Sequence, residues 1–373
     1  DSRAGLMARG IEANTPLARA LVLGMVTMAT TLYGTTVLVV SVILPQMQGS
    51  LSATQDQIAW VMTFNILATA IATPTTGWLT ARFGRRNVMI YCQAGFTVST
   101  LLCGMAESLE TLVFYRILQG ALGAPLIPLA QATILDTYPK EQHGKATSIF
   151  GMGVVIGPVL GPVLGGYLAD VYNWRWAFYM IVPVGAAAVA GLYFLLSDKG
   201  RQDGIRLDWT GFLALAVAIG CVQLMLDRGQ RLDWFDSLEI VLEAAIGVLA
   251  FYFFLAHSLT TQKPFLTLKL MLDRNYALGS LTVLIYGMLN FTPMVLFPPM
   301  LQGLMGYPNS IIGELLAARG VGALLGFFSA MFVAKIDPRI GMCIGMGLQA
   351  VSGLMMMTFD HNVTFESVAL VGA

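Results

Sequence analysis

Residues 151–168 read GMGVVIGPVLGPVLGGYL, with six glycines (Gly151, Gly153, Gly157, Gly161, Gly165, Gly166), two prolines (Pro158, Pro162) and no charge. In water this stretch would not hold a helix, because an interior Gly costs about 1 kcal/mol and an interior Pro about 3 kcal/mol relative to Ala. Yet Gly153, Gly157, Gly161 and Gly165 recur every four residues, a helical spacing. A chain keeps a helical period with the two worst helix formers where the backbone has no other hydrogen-bond partner. That place is a lipid bilayer.

The rest of the chain agrees. Its 373 residues are 56% hydrophobic and 11% charged, with a mean hydropathy of +0.72, where soluble domains carry about 25% charged residues. Apolar runs of spanning length, about 20 residues, fall near 20–44, 57–81, 87–106, 109–134, 146–168, 176–197, 209–227, 237–257, 276–301, 311–334 and 340–358. A further apolar stretch starts at 366, and the chain opens on Asp1, so both ends read as clipped. The spans are expected to be helices, since a barrel needs shorter, alternating segments. The first run is too long for a signal peptide, and ten more follow. Cys92, Cys103, Cys221 and Cys343 lie within spans and read as small hydrophobes. His143, His257 and His361 are scattered near span ends, so no metal site and no cofactor is expected.

Net charge is zero, which implies no nucleic acid or other polyanion partner. The order of the charges says more. Sixteen of the 21 Lys and Arg fall in the N-terminal segment and the even-numbered loops. The odd loops carry only Arg175, Arg228 and Arg231, and Arg116 and Arg319 lie inside spans. The positive-inside rule therefore places the N-terminus in the cytoplasm. The strict alternation supports the span count, because one missed helix would invert every later loop.

Two span ends echo each other, GWLTARFGRR (77–86) and AMFVAKIDPR (330–339). Without gaps, Arg82 meets Lys335 and Arg86 meets Arg339. Each would join the second and third helix of a six-helix half, and repeated halves are a transporter arrangement. The expected organisation is a cytoplasmic segment 1–19, an N-terminal six-helix half 20–197, a linker and inserted helix pair 198–257, and a partial C-terminal half 258–373.

These motifs resemble the major facilitator superfamily. GWLTARFGRR is similar to its cytoplasmic-loop signature, RILQG (116–120) to its fourth-helix signature, and the glycine–proline run to the fifth-helix signature of its antiporters. WRWAFYMIVPVG (174–185) and the inserted pair resemble the fourteen-helix drug/proton antiporter branch. The resemblance implies an all-α polytopic bundle of two six-helix halves, an inserted pair and an incomplete second half.

Residue expectations follow. Gly77, Arg82, Gly84, Arg85 and Arg86 form a cytoplasmic gate, where Arg forks meet carboxylates or helix C-terminal carbonyls; the family's Asp is replaced by Ala81. These arginines read equally as a topology anchor. Arg116, with Gln119 and Gly120, is either a cation snorkelling to the headgroups or, as the resemblance implies, a cavity-facing group that couples protons to substrate. The glycine stripe with Pro158 and Pro162 is a tight packing face, or a bent seam between the halves that slides during transport. The first-helix Asp of the branch is Thr36 here, and the following Asn is Ser41. The few acids expected to be buried within spans are Glu243 and Glu314; a desolvated Glu314, five residues before Arg319, would take up protons more readily. Asn65, Gln131 and Asn290 are cavity candidates.

The expected function is export of amphipathic drugs or other small organic compounds, coupled to proton entry by alternating access at a bacterial inner membrane. The resemblance implies a periplasmic adaptor and an outer-membrane channel as partners. No nucleotide-binding motif appears, and no catalytic cluster, so an enzyme is not expected. An importer of a small polar solute and a non-transporting membrane sensor remain open alternatives.

Overall fold

The computed structural model describes residues 15–197, 207–333, 338–357 and 367. Every regular element among them is helical. In chain order they are α1 (Pro16–Ser50), α2 (Gln55–Ala72), α3 (Thr76–Phe83), α4 (Arg85–Met105), α5 (Leu109–Gly123), α6 (Leu126–Thr137), α7 (His143–Val171), α8 (Trp176–Tyr179), α9 (Ile181–Leu195), α10 (Trp209–Arg228), α11 (Leu238–Thr260), α12 (Arg274–Met305), α13 (Asn309–Val333) and α14 (Pro338–Met356). Ten helical segments of the described residues are long and apolar enough to cross a membrane. The 276–301 run lies within the 32-residue α12, which at about 1.5 Å per residue also has spanning length. The chain is an integral, multi-pass membrane protein.

Local chemistry starts and stops these helices. Thr15 caps α1 by accepting from the Ala18 amide at 3.2 Å. Thr54 with Gln57 and Ser108 with Thr111 form capping boxes at α2 and α5, each satisfying two orphan donors. Gly84, at φ 83°, is the single residue between α3 and α4, capping the end of one and the start of the other. The span expected at 109–134 runs as Leu109–Thr137, interrupted by a turn at Ala124–Pro125, where proline removes a backbone donor. Many threonines donate back to the carbonyl four residues earlier, among them Thr31, Thr35, Thr69, Thr97 and Thr100. In an apolar surround this satisfies a hydroxyl that would otherwise be costly to bury.

The loops separate by number, as the charge alternation requires. At one end Trp174 donates to Ser50 Oγ at 2.6 Å, Arg175 to the Gly104 carbonyl at 2.9 Å, and Arg231 pairs with Asp56 at 3.2 Å. At the other, basic end, Arg85 pairs with Asp136 and Arg86 reaches Tyr193.

The first six spans form one bundle with two apolar clusters. One, toward the basic end, joins Val26, Tyr33, Phe96, Leu126, Ile134, Phe150 and Leu192. The other, toward the far end, joins Val39, Ile43, Ile58, Val61, Leu112, Trp174 and Phe178. The inserted pair α10–α11 packs on itself and against α2. Thr63 donates to Asp227 at 2.7 Å, and Arg228 is shared by Glu239 and Glu243. Glu243, one of the acids expected within spans, is an ion-pair partner of Arg228. From the last helices, α13 lies along α7, and a third apolar cluster joins Val42 of α1 to Leu301 of α12 and to Ile312 and Leu315 of α13.

Candidate functional site

Between the two clusters of the first bundle lies a belt of buried polar groups. Arg116 is 1% exposed, and no carboxylate among the described residues is hydrogen-bonded to it. Its Nε donates to the Val61 carbonyl at 3.1 Å and its Nη1 to Gln119 Oε1. Gln119 passes the chain on, donating to Thr100 at 2.7 Å. Asn65 donates to the Arg116 carbonyl at 2.8 Å, and Thr69 donates to the Asn65 carbonyl at 2.9 Å and lies 2.8 Å from the Tyr33 hydroxyl. The belt thus ties α1, α2, α4 and α5. Gly120 is needed because a Cβ there would stand 2.3 Å from the Asn65 carbonyl oxygen. Arg116 does not snorkel, and the expectation of a cavity-facing guanidinium is corrected: the side chain is spent inside the first bundle. Gln131, expected among the cavity candidates, is exposed on α6.

The glycine stripe finds its partner in α1. A Cβ at Gly153 would stand 2.1 Å from the Thr27 methyl, at Gly157 2.4 Å from the Thr31 carbonyl oxygen, at Gly161 2.8 Å from the Thr35 methyl, and at Gly165 1.9 Å from a Val39 methyl. Both helices step by four, so Thr27, Thr31, Thr35 and Val39 form a row that fills the side-chain-free groove. Thr31 also places its hydroxyl 2.9 Å from the Gly153 carbonyl, near the turn that Pro158 disturbs. Pro158 lies against Gly34, its ring 3.4 Å from where a Cβ would stand, and Gly166 is buried. The stripe therefore joins two helices of the same bundle, which corrects its expected place between the halves.

The seam with the last helices uses another face of α7, and the small residues there belong to α13. A Cβ at Gly313 would stand 2.6 Å from the Pro162 carbonyl oxygen, and one at Gly320 1.6 Å from a Val159 methyl. Nearer the basic end Phe327 fills the space beside Gly151. So α7 is held to α1 by one face and to α13 by another.

Arg319 is half-buried on α13, its Nη2 at 3.3 Å from Asn290 Oδ1 and 3.4 Å from the Asn290 carbonyl. Glu314 is exposed, on the face it shares with the exposed Val321 seven residues on. Among the described residues it pairs with no cation.

At the basic end Arg85, on the first turn of α4, pairs with Asp136 in the last turn of α6. Arg86 donates to the Tyr193 carbonyl near the end of α9 at 2.7 Å and stacks over the Tyr193 ring at 5.1 Å. The guanidinium of Arg82 stands 5.9 Å from the Phe83 ring centre, and Gly77 faces open space. Lys335, the counterpart of Arg82 in the echo, lies outside the described residues.

The sequence reading missed the threonine row, Thr100, Asp136, Tyr193 and the α13 glycines. The row was visible as Thr27, Thr31 and Thr35, spaced by four like the glycines they meet.

Residues 25–373 match the Major Facilitator Superfamily. The multidrug export protein EmrB of Escherichia coli strain K12 is 36% identical over 305 residues, covering 81% of this chain and 59% of that protein. The fatty acid resistance protein FarB of Neisseria gonorrhoeae is 34% identical over 307 residues, 81% of this chain and 60% of that protein. The chain thus spans about 60% of the length of these relatives. Among solved structures, a peptide transporter POT in complex with sulfate superposes with a TM-score of 0.64 at 13% identity, over 100% of this chain and 82% of its own. That likeness carries the fold, and with the family match over nearly the whole chain it places this sequence, an EmrB-like one, in the Major Facilitator Superfamily.

Proposed function

We propose that this chain is the greater part of a secondary exporter of small amphipathic compounds, driven by proton entry. The first six spans are one half, 198–257 are the linker and inserted pair, and 258–373 belong to the second half. The observation that carries the reading is the α7–α13 seam, where Gly313 and Gly320 bring the last helices against the backbone of Pro162 and the Val159 side chain. Alternating access requires two bodies that move against each other, and this close contact is where the last helices meet the first bundle. The α1–α7 stripe, within the first bundle, moves in this reading as one body with the belt. In this reading Arg116 is a positioning residue that holds the bundle rigid. Arg85 and Arg86 brace α4 against α6 and α9 at the gate.

The basic loops support an N-terminus on the cytoplasmic side of a bacterial inner membrane. The resemblance to EmrB supports a periplasmic adaptor and an outer-membrane channel as partners. The test is efflux by the intact gene product in proteoliposomes under an imposed pH gradient. Uptake of an amphipathic dye into everted vesicles, abolished by a protonophore, is expected. Dye movement indifferent to the gradient would overturn proton coupling, and no movement of any amphiphile would favour the sensor alternative.

A further inference from the structure

The inserted pair α10–α11 is fastened at both ends, and to different parts of the chain. At the outer end Asp56 and Thr63 lie seven residues apart on α2 and share a face. Asp56 pairs with Arg231 at 3.2 Å, and Thr63 donates to Asp227 at 2.7 Å. Arg228 binds both Glu239 and Glu243, and a Cβ at Gly247 would stand 3.2 Å from Cys221 Cβ. The two helices of the pair are thus joined at this corner and hooked together onto α2.

Below the hook α10 and α2 part. Gly220 precedes Asp227 by seven residues and shares its face, yet a Cβ there would meet nothing within 4 Å. On α2 the residues that continue the Thr63 face inward, Ile66 and Ala70, are exposed. At the basic end the pair is held by Asp208 instead. Its carboxylate accepts from the Gly211 amide at 3.0 Å, from His257 Nε2 at 2.9 Å and from the Phe265 amide at 3.0 Å. Its side chain is 13% exposed, and hydrogen bonds to a shielded charge are the strong ones. Gly211 lies in the first turn of α10 and His257 in the last turn of α11, while Phe265 leads into the turn Leu268–Leu272, which packs on α12. The Phe265 ring also meets Phe212 edge-on, centres 5.5 Å apart.

We propose that the inserted pair is a strut between the two moving bodies: it pivots on α2 at Asp56 and Thr63, while the Asp208 staple carries its basic end with α12. The inference rests on the exporter reading and adds a mechanical part to it, since a rod tied to both bodies limits how far they separate at the basic end. From Trp209 to Asp227 α10 rises about 27 Å. A rigid-body rotation on the order of 15° therefore carries its basic end about 7 Å past α2 and leaves the hook closed.

Spin-label distances in the intact gene product in nanodiscs test this, with Cys92, Cys103, Cys221 and Cys343 replaced. Gln55→Cys with Leu238→Cys reads the hook, Phe83→Cys with Trp209→Cys reads the basic ends of α3 and α10, and Leu135→Cys with Ile340→Cys reads the first bundle against α14; all six positions are exposed. Each is measured in acidic and in alkaline buffer, with and without ethidium. The hook distance is expected to stay constant while the α3–α10 distance shifts by about 7 Å in step with the Leu135–Ile340 distance. In Asp208→Ala the Leu135–Ile340 distance should still shift and the α3–α10 distance should no longer follow it. If that variant fails to insert, His257→Leu removes one staple bond and should broaden the α3–α10 distances. A fixed α3–α10 distance while Leu135–Ile340 shifts means the pair rides with the first bundle, and a hook that opens means it rides with the last helices; either overturns the strut alone, as does a staple variant that behaves like wild type. A Leu135–Ile340 distance constant under every condition defeats the exporter reading and the strut with it.

Discussion

Replacing Gly157 by alanine adds one methyl group where two helix backbones touch. The new Cβ would stand 2.4 Å from the Thr31 carbonyl oxygen and 2.6 Å from Thr35 Oγ1. A carbon meets a carbonyl oxygen no closer than about 3.3 Å, and a backbone carbonyl cannot swing aside as a side-chain tip can. The α1–α7 crossing must open by roughly 0.9 Å, and a gap of that size forfeits about a quarter to a half of each affected van der Waals contact. The expected cost is about 1–3 kcal/mol, the usual range for overpacking. Gly24→Ala is the matched control: the same α1 helix, with nothing within 4 Å of the added Cβ, so stability there is unchanged or gains up to about 1 kcal/mol from helix propensity. Cys92 and Cys103 are free and buried in the first bundle, so a thiol-reactive dye reports its thermal opening once Cys221 and Cys343 are replaced. Gly157→Ala opening at the same temperature as wild type and Gly24→Ala would refute the close-approach argument.

Arg116→Lys keeps the charge but cannot reach both the Val61 carbonyl and Gln119, so the same dye assay should show a loss of about 1.5–3 kcal/mol; an unchanged midpoint would mean the belt is not a brace. At the gate, Arg86→Ala should destabilise more than Arg85→Ala, because the Arg85–Asp136 pair is solvent-exposed (side chains 33% and 58%) and worth at most about 1 kcal/mol, and raising salt should weaken only the Arg85 contribution. Asp208 caps α10 just outside the span; burial pushes its carboxyl up, but hydrogen bonds from the Gly211 amide, His257 and the Phe265 amide outweigh that and hold it below the ordinary carboxylate value. A depressed carboxylate adds stability above its unfolded value, near pH 4, and loses it as pH falls through the folded one. Protease nicking near α10 should therefore be flat with pH above about 5 and rise only below about 4, while Asp208→Ala should raise it at neutral pH by the equivalent of about 1 kcal/mol of lost capping.

The helices themselves were legible because span length, charge alternation and period-four glycines are one-dimensional signals. What the glycines touch was not. A stripe of small residues announces a close approach without naming its partner, and only the matching row Thr27, Thr31 and Thr35 could have pointed to α1. Arg116 shows the same limit. A charge inside a span says that it is covered by protein, and its hydrogen-bond partners Val61 and Gln119 then decide that it faces the bundle interior rather than a cavity. Glu314 shows it too: position along a span gives depth, whereas burial depends on which way round the helix the residue points. Pro125 was a readable break that spanning length alone concealed.

The central claim, that the first bundle is one body and the last helices move against it, is tested most directly by paired cysteines with Cys221 and Cys343 removed. Gln46 of α1 bonds Asp170 of α7 at 3.1 Å within the bundle, whereas Val42 of α1 meets Leu301 of α12 across the seam. Oxidising the pair Gln46→Cys and Asp170→Cys should leave proton-driven efflux intact, while oxidising Val42→Cys with Leu301→Cys should stop it and reduction should restore it. Full efflux from the oxidised Val42–Leu301 pair would contradict the account.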